Sequence, residues 1–270
     1  MANSNYILTG PPRSGTTLSC YLLNKLPNVV ALHEPMNIRM FPEPQTGLQN
    51  TATFFGQMRD SLLTTGIAIS KVKDGMIPTN PFENKAEKGS RKSIVKKGEV
   101  KFDKTLSPDF KLVMKHNAHF TFLLPQIAQH YPFYVILRHP IATIASWNSI
   151  TAPVAQGNLR VLEFLEPELF QQLNEIPDLL DRQIKLLEEH YNRYQQLPRD
   201  CIIRYEDLIA SGGQALQRID AGAKNLNEAL QNKNTNPAYK SDLLLMIKEK
   251  LLSSSTFYEP FYDRADITAF

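Results

Sequence analysis

The sequence predicts a three-layer α/β fold around a central parallel sheet, and two observations carry that prediction. Five short apolar runs lack the alternation of a half-exposed strand, and helix-patterned segments lie between most of them. Continuous apolar runs mark strands covered on both faces, as parallel strands are. Strand, helix, strand in repetition is the rhythm of a doubly wound domain. At 270 residues, 42% hydrophobic and 21% charged, the chain reads as one domain over 1–270, long enough for a large core.

The expected strands are 6–8, 29–32, 111–114, 133–137 and 201–203, each stopping at a polar or turn-forming cluster. Helical patterns cover 16–26, 122–130, 140–150 and 177–197, and after the last strand 214–231 and 239–252. An insertion at about 66–108 falls outside this rhythm. Its stretch 71–104 carries ten basic against five acidic side chains, so the rest of the chain sums to about −2 by formal charge. It is either a solvated loop or a flap that draws in an anionic ligand. Residues 151–176 form a second irregular stretch, placed where a substrate-covering segment would sit.

A net charge of +3 is too small to argue for nucleic acid. Cys20 and Cys201 are the only cysteines and lie far apart, which supports neither a disulfide nor a metal site and fits a reducing cytoplasm. No signal-peptide pattern opens the chain, and no apolar run is long enough to span a bilayer. The expectation is a cytoplasmic protein without nucleic-acid or membrane partners, its oligomeric state open.

Residues Gly10-Pro11-Pro12-Arg13-Ser14-Gly15-Thr16-Thr17 follow the first strand and open a helix. The spacing is that of a phosphate-binding P-loop, with Thr16 in place of the lysine. Gly15 permits close approach of backbone amides to an oxyanion. Thr16 and Thr17 add hydroxyls at a helix N-terminus, where free N–H groups and the dipole favour anions, and Arg13 adds a forked cation. The missing lysine weakens a nucleoside-triphosphatase reading, because that lysine neutralises phosphate beside magnesium.

The run Pro12-Arg13-Ser14-Gly15-Thr16-Thr17-Leu18 resembles the 5'-phosphosulfate loop of sulfotransferases that use 3'-phosphoadenosine 5'-phosphosulfate (PAPS). The segment Val135-Ile136-Leu137-Arg138-His139-Pro140, with Ala145-Ser146-Trp147 after it, resembles that family's 3'-phosphate motif. There an arginine and a serine eight positions later hold the phosphate. Ile203-Arg204-Tyr205-Glu206-Asp207-Leu208 resembles a third, mainly structural, family segment. The likeness covers 5–36 and 111–209 and is closer to carbohydrate, tyrosylprotein and bacterial sulfotransferases than to the cytosolic phenol and steroid type.

The resemblance implies a P-loop NTPase-like topology and in-line sulfuryl transfer to an acceptor hydroxyl, with adenosine 3',5'-bisphosphate as product and no metal. It assigns Arg13, Ser14, Gly15, Thr16, Thr17 and Leu18 to the 5'-phosphosulfate and Arg138 with Ser146 to the 3'-phosphate. Lys115, with Arg13, would stabilise the leaving phosphate. Glu34, in Leu32-His33-Glu34-Pro35, resembles the family's glutamate base; His33 and His116 are the alternative bases. Adjacent residues of an extended segment face opposite ways, so only one of His33 and Glu34 is expected to face the donor. Asn117 stands where the cytosolic enzymes carry a catalytic histidine. The acceptor would be a sugar, a phenol or another small hydroxyl compound. A P-loop small-molecule kinase and a non-catalytic nucleotide-binding relative are the alternative readings.

Overall fold

The computed structural model describes residues 4–84 and 89–270; Lys85, Glu87 and Lys88 of the basic insertion lie outside them. The described residues form seven strands: β1 Asn5–Thr9, β2 Val29–His33, β3 Ile67–Val72, β4 Lys96–Lys101, β5 Lys111–Lys115, β6 Phe133–Leu137 and β7 Ile202–Arg204. The helices are α1 Thr16–Leu23, α2 Pro44–Thr65, α3 Asn117–Phe122, α4 Leu124–Ile127, α5 Pro140–Trp147, α6 Leu162–Leu165, α7 Pro167–Glu175, α8 Leu179–Tyr194, α9 Tyr205–Ala210, α10 Ser241–Ser254 and α11 Arg264–Ala269.

All five expected strands join one sheet in the order β2-β5-β1-β6-β7, and every pairing in it is parallel. Both faces of the sheet are covered, and the strand side chains divide between two cores with period two. Ile7, Leu32, Met114, Val135 and Leu137 enter the larger core. Leu8, Ala31, Val113, Ile136 and Ile203 enter the smaller one on the other face. Burial on both faces is why the runs read as continuously apolar. From β1 the chain passes to the edge strand β2, later inserts β5 between the two, and then crosses to β6 and β7 on the other side. The carboxyl ends of strands at such a reversal form a crevice. Register sets His33 opposite Lys115 and Leu8 opposite Lys115, so the turns leaving β1, β2 and β5 meet there.

Several segments differ from the sequence expectation: the helix expected over 122–130 is the end of α3 and the short α4, and 151–176, read as irregular, contains α6 and α7. Helix α2, 22 residues long, escaped a reading centred on strands, although its signals are present. Pro44 occupies its first turn and Gly66, at φ 71°, ends it, as a helix start and a left-handed stop require. The basic insertion is not a bare loop, because β3 and β4 pair antiparallel from Ile67↔Lys101 to Val72↔Lys96. Fully buried Ser70 staples this ribbon to β2, its Oγ accepting from His33 N at 2.9 Å. The helix expected over 214–231 is instead two 3-10 turns, Gln214–Arg218 and Ala221–Asn225. Gly212 and Gly213 adopt positive φ there, and Asp220 accepts from Gly222 N at 2.8 Å, so local capping replaces the helical ladder.

Gly10 ends β1 at φ 152°, where an added Cβ would lie 2.2 Å from the Ile136 carbonyl oxygen. Gly10→Ala is expected to destabilise the fold by about 2 kcal/mol or more in urea unfolding, since neither the backbone angle nor the gap accommodates a methyl group.

Candidate active site

The P-loop is held from below and from the side. Fully buried Trp147 donates from Nε1 to the Pro12 carbonyl at 2.7 Å, and Ser14 N closes a turn onto Pro11 O at 3.1 Å. Gly15, at φ 101°, lies so close to Tyr205 that a Cβ would come within 2.7 Å of its ring. Only glycine satisfies both the angle and the approach. The first-turn N–H groups of α1 have no intrahelical acceptor and point out of the helix. Thr16 Oγ1 donates to Asn117 Oδ1 at 2.9 Å, and Thr17 Oγ1 lies 3.3 Å from His33 Nε2. The hydroxyl of Ser14 is buried and has no hydrogen-bond partner.

Beside the loop stands a charged triad. Lys115, 1% exposed, donates to Glu34 Oε1 at 2.7 Å, and Lys71 of the β3–β4 ribbon donates to Oε2 at 2.6 Å. Burial, the largest effect, raises the Glu34 carboxyl, but Lys115 and then Lys71 outweigh it and hold the acid well below its usual range. Burial pulls the Lys115 ammonium down, and Glu34 opposes it. His33 is pushed to about 3 by burial and by Lys115, so its imidazole is neutral. The strand alternation expected of His33 and Glu34 stops between them. Glu34 has φ 44°, which turns its carboxylate back, so that both residues line the same cavity. Arg13, at φ 75°, is the other non-glycine candidate in left-handed backbone, and strain of this kind clusters at functional sites.

A second cluster is formed by three arginines. Arg138, 3% exposed, donates to Asn234 Oδ1 at 2.8 Å, Arg13 O at 3.1 Å, Lys233 O at 2.5 Å and Tyr239 Oη at 3.2 Å. Arg13 donates to Ser146 Oγ at 3.2 Å and Asn80 Oδ1 at 3.1 Å. Thus Ser146 meets Arg13 in this structure. Arg91 of the insertion donates to Ser149 Oγ at 2.5 Å. These acceptors are all neutral. Burial, then repulsion from Arg91 and Arg138, brings Arg13 down to about 9.

A cavity of about 880 Å³ connects the two clusters. Its wall holds Arg13, Gly15, Thr16, Thr17, Leu18, His33, Glu34, Lys115 and Arg138, so the structure brings most of the sequence candidates together. Ser14 and Ser146 are fully buried and lie behind that wall. His116 faces the core, its Nε2 accepting from Met36 N at 3.1 Å. Arg264, in the aromatic C-terminal segment, donates to Leu252 O at 2.8 Å and is outside the cavity. Among the described residues, seven cationic side chains face the cavity (Arg13, Lys71, Arg91, Lys115, Arg138, Arg160 and Lys233) against one carboxylate, Glu34.

Sequence reasoning missed Lys71 and Arg91 as individual wall residues, although both belong to the basic insertion. It also missed the 231–239 segment that surrounds Arg138. The motif resembling the family's third segment is a bracket, as expected. Glu206 accepts from His139 N at 3.1 Å, Asn234 Nδ2 at 2.8 Å and Tyr262 Oη at 2.9 Å.

No family model and no curated protein matches the chain. Among solved structures it is similar to a sulfotransferase domain from the curacin biosynthetic pathway, at 14% identity and TM-score 0.41, covering 88% of this chain and 78% of that one. It is also similar to a sulfotransferase from Mycobacterium tuberculosis, at 13% identity and TM-score 0.37, covering 91% and 75%. No helix among the described residues is long and apolar enough to cross a membrane.

Removing Glu34 leaves Lys115 buried without its counter-charge, which typically costs 3–5 kcal/mol. Glu34→Ala is therefore expected to lose about 3 kcal/mol or more of stability at pH 7. Because the folded Glu34 carboxyl titrates below its unfolded value of about 4.3, its contribution is complete above that value and is lost as pH falls through the folded one. Urea midpoints should fall more steeply below about pH 4.3 in wild type than in Glu34→Ala.

Proposed function

We propose that this protein is a PAPS-dependent sulfotransferase acting on a hydroxyl acceptor. The observation that carries the reading is the cavity itself. It lies at the carboxyl ends of a parallel sheet, with a lysine-free P-loop on its wall and seven cations facing one carboxylate. A polyanion with phosphates at two separated positions fits that charge. A nucleoside-triphosphate site calls for a P-loop lysine and an acid for magnesium. Here Thr16 holds the lysine position, and Glu34 is tied to two lysines.

The N–H groups of Gly15, Thr16, Thr17 and Leu18 and the hydroxyls of Thr16 and Thr17 would hold the 5'-phosphosulfate, with Ser14 backing the loop from behind the wall. Arg138 and Arg13, bonded only to neutral groups, would take the 3'-phosphate, with Ser146 holding the Arg13 guanidinium from behind the wall. The donor supplies a sulfuryl group, whose bond to the phosphate oxygen breaks as the bond to the acceptor oxygen forms. Lys115 stays at Glu34 Oε1 beside the loop, placed to stabilise charge on the leaving oxygen. Lys71, with its side chain 40% exposed, is the partner free to swing away. Oε2 then accepts the acceptor proton. His33, neutral and with Nδ1 unpartnered, is the second candidate base.

Adenosine 3',5'-bisphosphate at a hundred times its dissociation constant should stabilise the protein by about 2.7 kcal/mol, a rise of roughly 5–10 °C in Tm. ATP with magnesium should give no comparable rise, and Arg138→Ala should abolish the bisphosphate response. Stabilisation by ATP and magnesium alone would instead establish a kinase. Glu34→Gln should lower the rate of sulfuryl transfer from PAPS by roughly 100- to 10,000-fold while retaining bisphosphate binding; retained activity would move the base to His33.

A further inference from the structure

We propose that Arg91, carried by the basic insertion, is a ligand of the donor's second phosphate and shares that group with Arg13 and Arg138. The inference deepens the sulfotransferase reading and rests on it for the identity of the anion.

The insertion presents Arg91 from a bonded frame. Phe82 bridges Ser93 in antiparallel fashion, with hydrogen bonds from Glu83 N to Lys92 O at 3.0 Å and from Ile94 N to Pro81 O at 2.9 Å. The Arg91 backbone is also pinned to the turn after α5. Its N–H donates to Ser149 O at 3.1 Å, and its carbonyl accepts from Thr151 N at 3.0 Å. Asn80 and Phe82 of the same frame hold Arg13. Asn80 accepts from Nη1, and the Phe82 ring centre lies 4.8 Å from the guanidinium carbon. One piece of the insertion thus delivers Arg91 to the cavity wall and positions Arg13 there.

The N–H groups that the protein leaves open decide which guanidiniums can grip an anion. A guanidinium carries five N–H donors. Arg138 directs four of them at Asn234, Arg13, Lys233 and Tyr239, which leaves one. Arg13 uses two, on Ser146 and Asn80. Arg91 also uses two, on the carbonyl and the hydroxyl of Ser149. Nη2 of Arg13 and Nη1 of Arg91 therefore bond to nothing among the described residues, and neither atom is sealed in. Arg91 is 4% exposed, and a cation so enclosed without a counter-charge is costly. A phosphate dianion between two open forks supplies that charge and accepts from both, as bidentate arginine–phosphate contacts do. Arg13 feels Arg91 more strongly than Arg138, in keeping with two neighbouring open guanidiniums.

The test measures two affinities of the full chain by isothermal titration calorimetry: for adenosine 3',5'-bisphosphate, and for adenosine 5'-monophosphate, which lacks the second phosphate. Arg91→Gln is expected to weaken the bisphosphate roughly 10- to 100-fold and to leave the monophosphate unchanged. Arg91→Lys, which keeps the charge without the fork, should fall between that variant and wild type, and it decides the matter if Arg91→Gln does not fold. Equal weakening of both nucleotides would mean that Arg91 only shapes the pocket, and it overturns the proposal. Bisphosphate binding that neither variant changes overturns it too, and leaves the donor reading standing. A wild type that binds the bisphosphate no better than the monophosphate removes the donor reading and the proposal together.

Discussion

Lys115 ends the central region of a parallel sheet with its ammonium almost fully enclosed, and a cation in that position requires a carboxylate at contact distance. Glu34 meets the requirement at 2.7 Å, and much of the site's geometry follows from the demand. To reach Lys115, the chain leaving β2 enters left-handed backbone at Glu34. That bend aims Pro35 and the following residues away from the strand and toward α2. The carboxylate's second oxygen then draws in Lys71, which ties the β3–β4 ribbon to the mouth of the sheet. One buried charge thereby connects the strand ends, the turn after β2 and the insertion.

The arginine cluster obeys the opposite rule. Among the described residues, Arg13, Arg91 and Arg138 collect neutral acceptors and no carboxylate, although they repel one another. Folding tolerates such an arrangement because hydroxyls, amide oxygens and carbonyls satisfy the guanidinium N–H groups without cancelling their charge. The residual positive potential is available to a ligand. Trp147 and Tyr205 supply no charge. They fix the P-loop backbone, one through a hydrogen bond to Pro12 and the other through contact with Gly15.

The main sheet was fully legible because a strand buried on two faces writes an unbroken apolar run, as 133–137 does. The P-loop was legible because φ-positive glycine and helix-opening hydroxyls are local requirements. Helix α2 was harder to read, since its buried face includes Gly47 and Thr51, which dilute the apolar stripe. Among the ten cations of 71–104, the approach of Lys71 to Glu34 and of Arg91 to Ser149 depends on how the ribbon docks, and no local pattern records docking. The partners of Arg138 were hidden for a related reason. Three of the four lie in 233–239, a stretch of coil whose composition carries no sign of its neighbour.

The sequence distance between Arg138 and those partners has a consequence for how the protein is made. Asn234 and Tyr239 follow Arg138 by 96 and 101 positions. At a synthesis rate of about 5–20 residues per second, the interval is roughly 5–20 s. Throughout it four of the five strands of the main sheet and the P-loop are already translated, while Arg138 lacks three of its four acceptors. The pocket therefore stays incomplete until position 239 has been made, and small-molecule binding can reward only a chain that extends beyond it.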